Sequence, residues 1–328
     1  MAQGIRVGVV GYGNLGRGVE RALAQSDDMS LAAVFTRRDP ASVSCHNTQV
    51  PVISLDQVQA WRDRIDVMIL CGGSRDDLPI QGPQMAAWFT TVDSFDTHAK
   101  VPEYFASMDA VARQSGQIAM ISIGWDPGLF SVNRLLGEAI LPEGATYTFW
   151  GKGLSQGHSD AVRHVPGVRA GVQYTLPVPE AIQRVRAGEQ PVLSTREKHT
   201  RECYVVLADG ADEHAVREAI VTMPNYFADY DTTVNFISLD TLQREHIAMP
   251  HGGFAIRSGL TGDQTHQVME FSLSLDSNPE FTSSVLVAYA RAAYRLHRRG
   301  ESGARTAFDV APGLLSPKDP ADLRRELL

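Results

Sequence analysis

The sequence predicts an α/β protein in which a doubly wound, mostly parallel sheet is joined to a second, α+β domain. Three observations lead to this prediction. Short apolar runs alternate with helical patterns over the first 124 residues, a glycine-rich turn follows the first run, and strand candidates become closely spaced beyond residue 125. Alternating strands and helices are typical of doubly wound sheets, whereas closely spaced strands are typical of antiparallel or mixed sheets.

The predicted strands of the first domain follow one another along the chain. Residues 5–10 form a short apolar run rich in β-branched side chains, which predicts a buried parallel strand. A glycine-rich turn comes next, followed by an amphipathic helical stretch to about residue 24. Further strands are predicted at residues 31–35, 67–71, 89–95 and 118–124, with a helix at residues 101–114.

The second domain is predicted to contain a mixed or antiparallel sheet. Its strand candidates lie at residues 147–153, 170–176, 202–208, 232–238, 252–259 and 267–275. A long amphipathic helix at residues 283–299 ends in basic side chains and is expected to return to the first domain. We therefore assign residues 1–124 and about 276–328 to the first domain and residues 125–275 to the second.

The composition restricts the class of protein. The chain has 328 residues, of which 43% are hydrophobic and 21% charged, as in soluble globular proteins of two domains. The net charge of −8 argues against nucleic acid and anionic membranes as partners, and no apolar run is long enough to span a bilayer. Three cysteines without metal-ligand spacing favour a reduced, cytoplasmic compartment. His246 and His251 flank Pro250, so we predict no metal site.

The glycine-rich turn has the spacing of a dinucleotide site, with glycines at positions 11, 13 and 16. Gly11 permits the tight turn, Gly13 lets a pyrophosphate approach the backbone, and Gly16 lets the helix pack on the strand. The phosphates would then meet the free amides of a helix N-terminus. Because the motif follows a strand and opens a helix, we expect the first domain to be a Rossmann-type dinucleotide-binding domain.

Basic residues stand where an NAD site usually carries an acid. That acid comes about 20 residues beyond the glycines and binds the ribose 2′-hydroxyl. Here the position holds Thr36, Arg37 and Arg38. Two guanidinium groups can bind a 2′-phosphate through charge-assisted hydrogen bonds, Thr36 can add a hydroxyl, and Asp39 could partly neutralise the pair. The predicted cofactor is NADP.

Several longer stretches resemble one enzyme family. They read "VGYGNLGRGVE", "FTRRD", "GWDPGLFSVNR", "FWGKGLSQGHSDAVR", "VPGVRAGVQYTLP" and "MPHGG". Together they resemble the meso-diaminopimelate dehydrogenase family over nearly the whole chain. The resemblance implies a homodimeric, NADP-dependent oxidoreductase that oxidatively deaminates the D-configured end of meso-2,6-diaminopimelate. The product, L-2-amino-6-oxopimelate, cyclises to tetrahydrodipicolinate, and the reverse reaction supplies diaminopimelate for lysine and peptidoglycan.

The resemblance also implies which residues form the site, including cofactor residues beyond the glycine motif. The cofactor-binding residues are expected to be Gly11, Tyr12, Gly13, Asn14, Leu15, Gly16, Thr36, Arg37, Arg38, Cys71, Gly72, Gly73, Ser74, Ser94, Phe95, Asp96, Ile123, Gly124, Trp125, Asp126 and Pro127. The substrate-binding residues are expected to be Asp96, Asp126, Trp150, Gln156, Gly157, Thr175, Arg201, His251 and Asn278. The chain departs from the family pattern at Gly72, where a bulkier residue is expected, and at Ile123, where threonine is expected.

The implied substrate explains these residue types. It carries two amino-acid heads, so four charges must be paired when it leaves water. Arg201 is suited to a carboxylate through its planar fork, with Thr175 and His251 as further donors. Asp96 and Asp126 are the predicted catalytic residues, because carboxylates can hold an ammonium and accept its proton. Which of the two accepts the proton is left open.

Other interpretations of the same residues remain. Gly153–Gly157 fits the G-x-S-x-G pattern of hydrolases, with Ser155 as nucleophile, although a substrate-binding loop explains the glycines equally well. Another NADP oxidoreductase or a non-catalytic NADP sensor would share the first domain. Asp96 could be a helix cap, Trp150 core packing, and Asn278 an ordinary turn residue.

Overall fold

A computed structural model describes residues 4–328, which fold into two compact units. The first unit contains the described residues up to Val132 together with Pro279–Leu328, and the second contains Asn133–Asn278. Among residues 4–328, no helix combines the length and the apolar character that crossing a bilayer requires.

The first unit is built on a sheet of seven strands that are all parallel, as the sequence predicts. The strand order is β14-β6-β5-β4-β1-β2-β3, which is the doubly wound order of Rossmann-type folds. The strands are β1 (Ile5–Val10), β2 (Met29–Thr36), β3 (Val52–Ser54), β4 (Val67–Leu70), β5 (Thr91–Asp93), β6 (Ile118–Met120) and β14 (Gly303–Arg305).

Helices cover both faces of this sheet, so its strands are apolar on both sides. The helices with residues in this unit are α1 (Asn14–Leu23), α2 (Leu78–Ala86), α3 (Val101–Ser115), α4 (Leu129–Ile140), α10 (Asn278–Arg298) and α11 (Pro320–Leu327). On one face, Val7 and Val9 pack with Val19 of α1 and Leu286 of α10. On the other face, α2 and α3 cover the sheet. The carboxyl ends of β1, β2, β4, β5 and β6 carry the predicted nucleotide segments.

The second unit contains two sheets, whereas the sequence predicts one. The first is a mixed sheet in the order β11-β10-β9-β8, and the second is an antiparallel sheet in the order β13-β12-β7. The strands are β7 (Gly144–Trp150), β8 (Gly153–Leu154), β9 (Val168–Pro177), β10 (His199–Leu207), β11 (Asp231–Phe236), β12 (His251–Thr261) and β13 (Thr265–Leu275). Two consecutive strands, β7 and β8, belong to different sheets because Gly151, at a φ of +117°, turns the chain between them.

Each sheet of the second unit has its own small core. The helices of this unit are α5 (Gln156–Arg163), α6 (Pro179–Arg186), α7 (Thr195–Lys198), α8 (Glu213–Val221) and α9 (Leu239–Glu245). Val162 of α5 and Ile220 of α8 pack with Cys203 and Val205 of β10. Ile182 and Val185 of α6 pack with side chains of β7 and β12. Gln156 is the first residue of α5, so the segment Gly153–Gly157 is extended only up to Ser155 and then enters a helix.

Candidate active site

The turn after β1 has the form of a phosphate site. Gly11 has a φ of +89°, and its amide donates to the Phe35 carbonyl over 2.8 Å. A Cβ at Gly16 would lie 2.2 Å from the Gly11 oxygen, so only glycine lets α1 pack this closely. A Cβ at Gly13 would meet open space. The first turn of α1 contains no acidic residue and Gly13 supplies no side-chain cap, as suits a helix N-terminus that binds an anion.

Tyr12 contacts Arg38, a predicted cofactor residue, through its backbone. Its carbonyl accepts from Nη2 of Arg38 over 3.0 Å. Its phenol is hydrogen bonded to the buried carboxylate of Glu20, which also accepts from the backbone amides of His46 and Asn47. Sequence reasoning missed Glu20, because nothing in the sequence distinguishes a buried acid on α1 from a solvated one.

The arginine pair at the end of β2 has a different acidic partner from the one considered above. The Asp39 carboxylate accepts from the Ala41 amide and caps a short helical turn. Instead, Nη2 of Arg37 lies 2.7 Å from Oδ1 of Asp77, which follows β4. The Arg37 side chain is 66% exposed, so this pair is screened by solvent and leaves most of the guanidinium accessible. Thr36 is buried and accepts from the Arg38 amide over 3.0 Å.

Asp77 also organises the segment Cys71–Ser74. Its Oδ2 accepts from the Gly73 amide over 2.9 Å, so one carboxylate connects this segment to Arg37. A Cβ at Gly72 would lie only 2.7 Å from Cβ of Asp77, which gives a physical reason for glycine at this position. Cys71 lies at the end of β4, where burial raises the pKa of its thiol to about 12, so the thiol stays protonated.

The segments after β5 and β6 carry the two predicted catalytic carboxylates. Asp96 is exposed, and its amide donates to Oγ of Ser74 over 3.0 Å. Thr97, and not Asp96, occupies the N-cap position of the short helical turn that follows, so Asp96 is not a helix cap. Asp126 is half-buried in the turn between Trp125 and Gly128, just before α4. Ile123 is fully buried, and its amide donates to the Asp93 carbonyl. Ser94, Phe95, Gly124 and Pro127 complete these two segments.

The other seven predicted substrate residues lie in the second unit. Among them Arg201 is unusual, because its side chain is 93% buried but forms no ion pair with any carboxylate in residues 4–328. Nη1 donates to the Thr175 hydroxyl, the guanidinium lies 3.9 Å from the ring centroid of Tyr230, and Nε is buried without a hydrogen-bond partner. Burial lowers the pKa of Arg201 from its ordinary value. A buried cation with an unsatisfied donor is suited to bind an anion.

Trp150, at the end of β7, is 38% exposed and is therefore not core packing. Its amide donates to Nε2 of His199 over 2.8 Å, and the two rings stack with centroids 5.3 Å apart. Burial and the nearby charge of Arg201 lower the pKa of His199 to about 4. His199 is thus a neutral acceptor that orients Trp150, and it was missed because nothing in the sequence pairs the two residues.

We expect the acid stability of the protein to depend on His199. Its folded-state pKa of about 4 is lower than the ordinary value of 6.5, so the unfolded chain binds more protons between these values. Stability is therefore lost as the pH falls from 6.5 towards 4, by an amount on the order of 3 kcal/mol. His199→Gln keeps an acceptor and cannot be protonated, so its melting temperature should fall less over this range. Substitution of the exposed His214 with glutamine is the control and should leave the wild-type slope.

The segment Met249–His251 connects the remaining predicted residues. The Asn278 amide donates to the Met249 carbonyl over 2.9 Å, and Nε2 of Gln156 lies 3.4 Å from the Met249 sulfur. The ring of His251 occupies the space that a Cβ at Gly153 would need, 2.4 Å from Nδ1. Gly157 faces open space in the first turn of α5. Asn278 is the first residue of α10 and not a simple turn residue.

Ser155 has a structural role in this arrangement. It is the N-cap of α5, with a φ of −92°, and its hydroxyl accepts from the His158 amide. A hydrolase nucleophile instead occupies a strained turn with its hydroxyl exposed. Oγ of Ser155 is also 2.8 Å from Nδ1 of His158, whose pKa burial lowers to about 4. Capping accounts for the serine without a nucleophilic role.

The two histidines near β12 have separate contacts. Nδ1 of His246 lies 3.0 Å from the Tyr174 hydroxyl, and its ring lies 4.0 Å from that of Tyr204. Nδ1 of His251 accepts from the Gly252 amide over 2.9 Å. Within the part of the chain that the structure describes, no three His, Cys, Asp or Glu side chains are grouped as a metal site.

Known proteins resemble this chain over almost its whole length. Residues 124–277 match the family described as diaminopimelic acid dehydrogenase C-terminal domain. A meso-diaminopimelate D-dehydrogenase of Lysinibacillus sphaericus is 64% identical over 324 residues, which cover 99% of each chain.

Two solved structures are also similar to it. One is a mutant of meso-DAPDH with DAP from Clostridium tetani E88, with a TM-score of 0.94 and 54% identity over 99% of this chain and 100% of that chain. The other is an engineered D-amino acid dehydrogenase bound to NADP+, with a TM-score of 0.86 and 43% identity over 99% of this chain and 100% of that chain.

Proposed function

Because this chain belongs to the meso-diaminopimelate D-dehydrogenase family, we propose that it oxidatively deaminates the D-centre of meso-2,6-diaminopimelate with NADP+ as oxidant. The products are ammonia and L-2-amino-6-oxopimelate, which cyclises to tetrahydrodipicolinate. The reaction is reversible and belongs to the dehydrogenase route of lysine biosynthesis.

One observation supports the substrate most strongly. The guanidinium of Arg201 is buried beside Thr175 and Tyr230 with no carboxylate of residues 4–328 to pair with it. A carboxylate of the distal L-head would supply the missing charge and a partner for the unsatisfied Nε. Gln156, His251 and Asn278 come from segments joined at Met249 and are suited to bind the rest of this head.

NADP is the proposed cofactor, and the residues of the first unit fit it. The close approach of Gly16 to Gly11 and the uncapped first turn of α1 suit a pyrophosphate. Arg37 and Arg38, with Thr36 beside them, suit the 2′-phosphate. When bound, NADP+ supplies the acceptor for the hydride that leaves the substrate carbon.

The chemistry assigns roles to the carboxylates. The D-centre can release a hydride only when its nitrogen lone pair is free to form the imine, so the ammonium must first lose a proton. Asp96 and Asp126 hold this ammonium, and one of them, or a water bound to it, accepts the proton. Water then adds to the iminium carbon, and ammonia leaves. No group in this scheme has to be a strong base, because orientation of the reacting carbon against the nicotinamide lowers much of the barrier to the reaction.

Stereochemistry follows from the two anchors. If Arg201 and its neighbours fix the L-head, the D-head can present its hydrogen from only one face. An LL-isomer bound in the same way would present its side chain or ammonium to the cofactor instead of this hydrogen. Selectivity is therefore a consequence of where the distal carboxylate is bound and not of contacts at the reacting carbon alone.

We also propose a homodimer, with the second unit providing the interface. Three apolar residues of α4 are exposed in the single chain: Leu135 by 46%, Leu136 by 46% and Ile140 by 58%. Strand β13 is an edge strand with an open row of backbone groups. Apolar residues and an unpaired strand edge are typical of surfaces that a second copy covers. Light scattering gives the mass of the purified protein in solution and so tests whether it is a dimer.

The free cysteines fit the reduced, cytoplasmic compartment that we propose.

The proposed function is tested by the choice of isomer and cofactor. We expect the purified protein to reduce NADP+ rapidly when meso-diaminopimelate is the substrate. We expect little reduction with the LL-isomer, because that isomer has no D-centre. The rate of absorbance increase at the nicotinamide band measures this, with the DD-isomer and NAD+ as further arms. Equal rates with the meso and LL isomers, or no activity with the meso isomer, would contradict the proposal.

A further inference from the structure

Asp93 is a buried acid that has no place in the scheme above. It is the last residue of β5 and is completely inaccessible to solvent. Its Oδ1 accepts from the amides of Phe95, over 3.0 Å, and Ser122, over 3.3 Å. Its Oδ2 accepts from the Tyr104 hydroxyl over 2.7 Å. Among residues 4–328, no Lys, Arg or His pairs with it, so hydrogen bonds alone stabilise its charge.

These hydrogen bonds join two separate segments of the candidate site. Phe95 belongs to the segment after β5 that carries Asp96, and Ser122 belongs to the segment after β6 that carries Asp126. The Asp93 carbonyl adds a third connection by accepting from the Ile123 amide over 2.9 Å. Ser122 has a φ of +57°, which is uncommon for a residue other than glycine and indicates that its conformation is imposed by its surroundings.

We propose that ionised Asp93 is a positioning residue, which holds the Asp96 segment and the Asp126 segment in the arrangement that catalysis needs. This inference rests on the proposed function, since it concerns the two carboxylates assigned to the substrate ammonium. Asp93 itself is inaccessible, so it acts only through the segments that it connects.

The surroundings of Asp93 make its charge sensitive to pH. Burial raises the pKa of this carboxyl to about 6, while the three donors oppose the rise. Tyr104, from α3, is the titratable side chain in contact with it, and the segments after β5 and β6 present backbone amides. Burial and the adjacent carboxylate raise the pKa of Tyr104 far above its ordinary value, so Tyr104 remains a neutral donor.

Protonation should therefore weaken the connection. Above a pH of about 6 the carboxylate accepts all three hydrogen bonds. Below it, the acid proton competes with the Tyr104 hydroxyl for Oδ2, and the bonds to the Phe95 and Ser122 amides lose their charge assistance. Activity is present above this pH and is lost as the pH falls through it.

Asp93→Asn tests the inference, because the amide has the shape of the acid and cannot ionise. The assay is kcat/KM for meso-diaminopimelate from pH 5 to 9. Since the substrate amine must also lose a proton, log kcat/KM rises with pH with a slope of about one, and wild type should steepen to a slope of about two below pH 6. In Asp93→Asn we expect a single slope throughout and a value about tenfold lower at pH 8, because neutral hydrogen bonds replace charge-assisted ones.

A second variant tests the same inference in case Asp93→Asn does not fold. Tyr104→Phe keeps the carboxylate but removes one donor to its charged form, so the break in the profile should move to higher pH. A purely structural role for this residue would lower activity without moving the break. Asp109→Asn is the matched control: it removes a carboxylate that accepts from the Ala304 amide elsewhere in the unit, and it should keep the wild-type profile.

The outcomes separate the two proposals. If wild type does not oxidise meso-diaminopimelate, the proposed function fails. If wild type is active but Asp93→Asn keeps its break near pH 6, or Tyr104→Phe leaves the break in place, the positioning role of Asp93 is wrong and the proposed function is untouched.

Discussion

Arg201→Met should raise the KM for meso-diaminopimelate by two or more orders of magnitude and leave NADP+ binding intact. In the wild-type protein the guanidinium is already dehydrated and held by Thr175 and Tyr230, so little further cost is incurred when a carboxylate binds. Methionine fills a similar volume but offers the carboxylate neither charge nor donor. Loss of one partner of a buried, hydrogen-bonded charge pair costs about 2–5 kcal/mol, or about 30-fold to several thousand-fold in binding.

Steady-state kinetics and a separate measurement of NADP+ affinity check this prediction. The control is Arg217→Met, which removes another arginine of the second unit that lies over an aromatic ring, 5.0 Å from Phe236, and donates to the Val234 carbonyl. Because Arg217 already has its acceptor, the control should keep the wild-type KM. If the KM of Arg201→Met stays unchanged, the distal carboxylate binds elsewhere.

Removing both arginines at the end of β2 should abolish the preference for NADP+. In Arg37→Ala/Arg38→Ala, we expect kcat/KM for NADP+ to fall by about 100-fold or more, while the value for NAD+ stays within about threefold. The 2′-phosphate carries the charge that we propose these two side chains bind, and NAD+ lacks this group. The existing contact between Arg37 and Asp77 limits the loss, since the phosphate must compete with that carboxylate.

The matched control for the nucleotide prediction is Arg75→Ala. Arg75 lies next to Ser74 in the same unit, its side chain is 92% exposed, and it has an exposed contact with Asp76. If general positive charge attracts the nucleotide, this variant should lose affinity for both cofactors. If the two arginines bind the 2′-phosphate directly, it should behave as wild type. The double variant also loses a hydrogen bond to the Tyr12 carbonyl, so its melting temperature should be measured alongside.

The parallel sheet of the first unit was predictable because its strands are buried on both faces. Such strands are continuous apolar runs, as in the segment Val67–Leu70, and they stand out from the helices between them. Strands β3 and β14 were not predicted, because each has only three residues and pairs at an edge of the sheet. The two sheets of the second unit were not distinguishable, since their pairing joins segments that lie far apart in the chain.

The site residues could be predicted from sequence motifs and from their positions after strands. The residues that hold them in place could not be predicted from either. Asp77, Asp93 and His199 act through contacts with segments remote in sequence or through burial. A signal was present only for Asp93, which lies within the polar cluster "VDSFDTH", although its burial could not be inferred from that cluster.

The sequence by itself determined the class of fold and the chemical types gathered for catalysis. Hydrophobic periodicity and glycine spacing are local properties, because they involve only residues that are close together in the chain, such as Gly11 and Gly16. Only the tertiary structure decided which charges are buried and which are paired. Among residues 4–328, Arg201 is buried with no acid paired to it, Arg37 pairs with Asp77, and Asp93 is buried where the segments after β5 and β6 meet. Burial and pairing arise from distant parts of the chain packing together, and they set the cost of each charge, which no local pattern records.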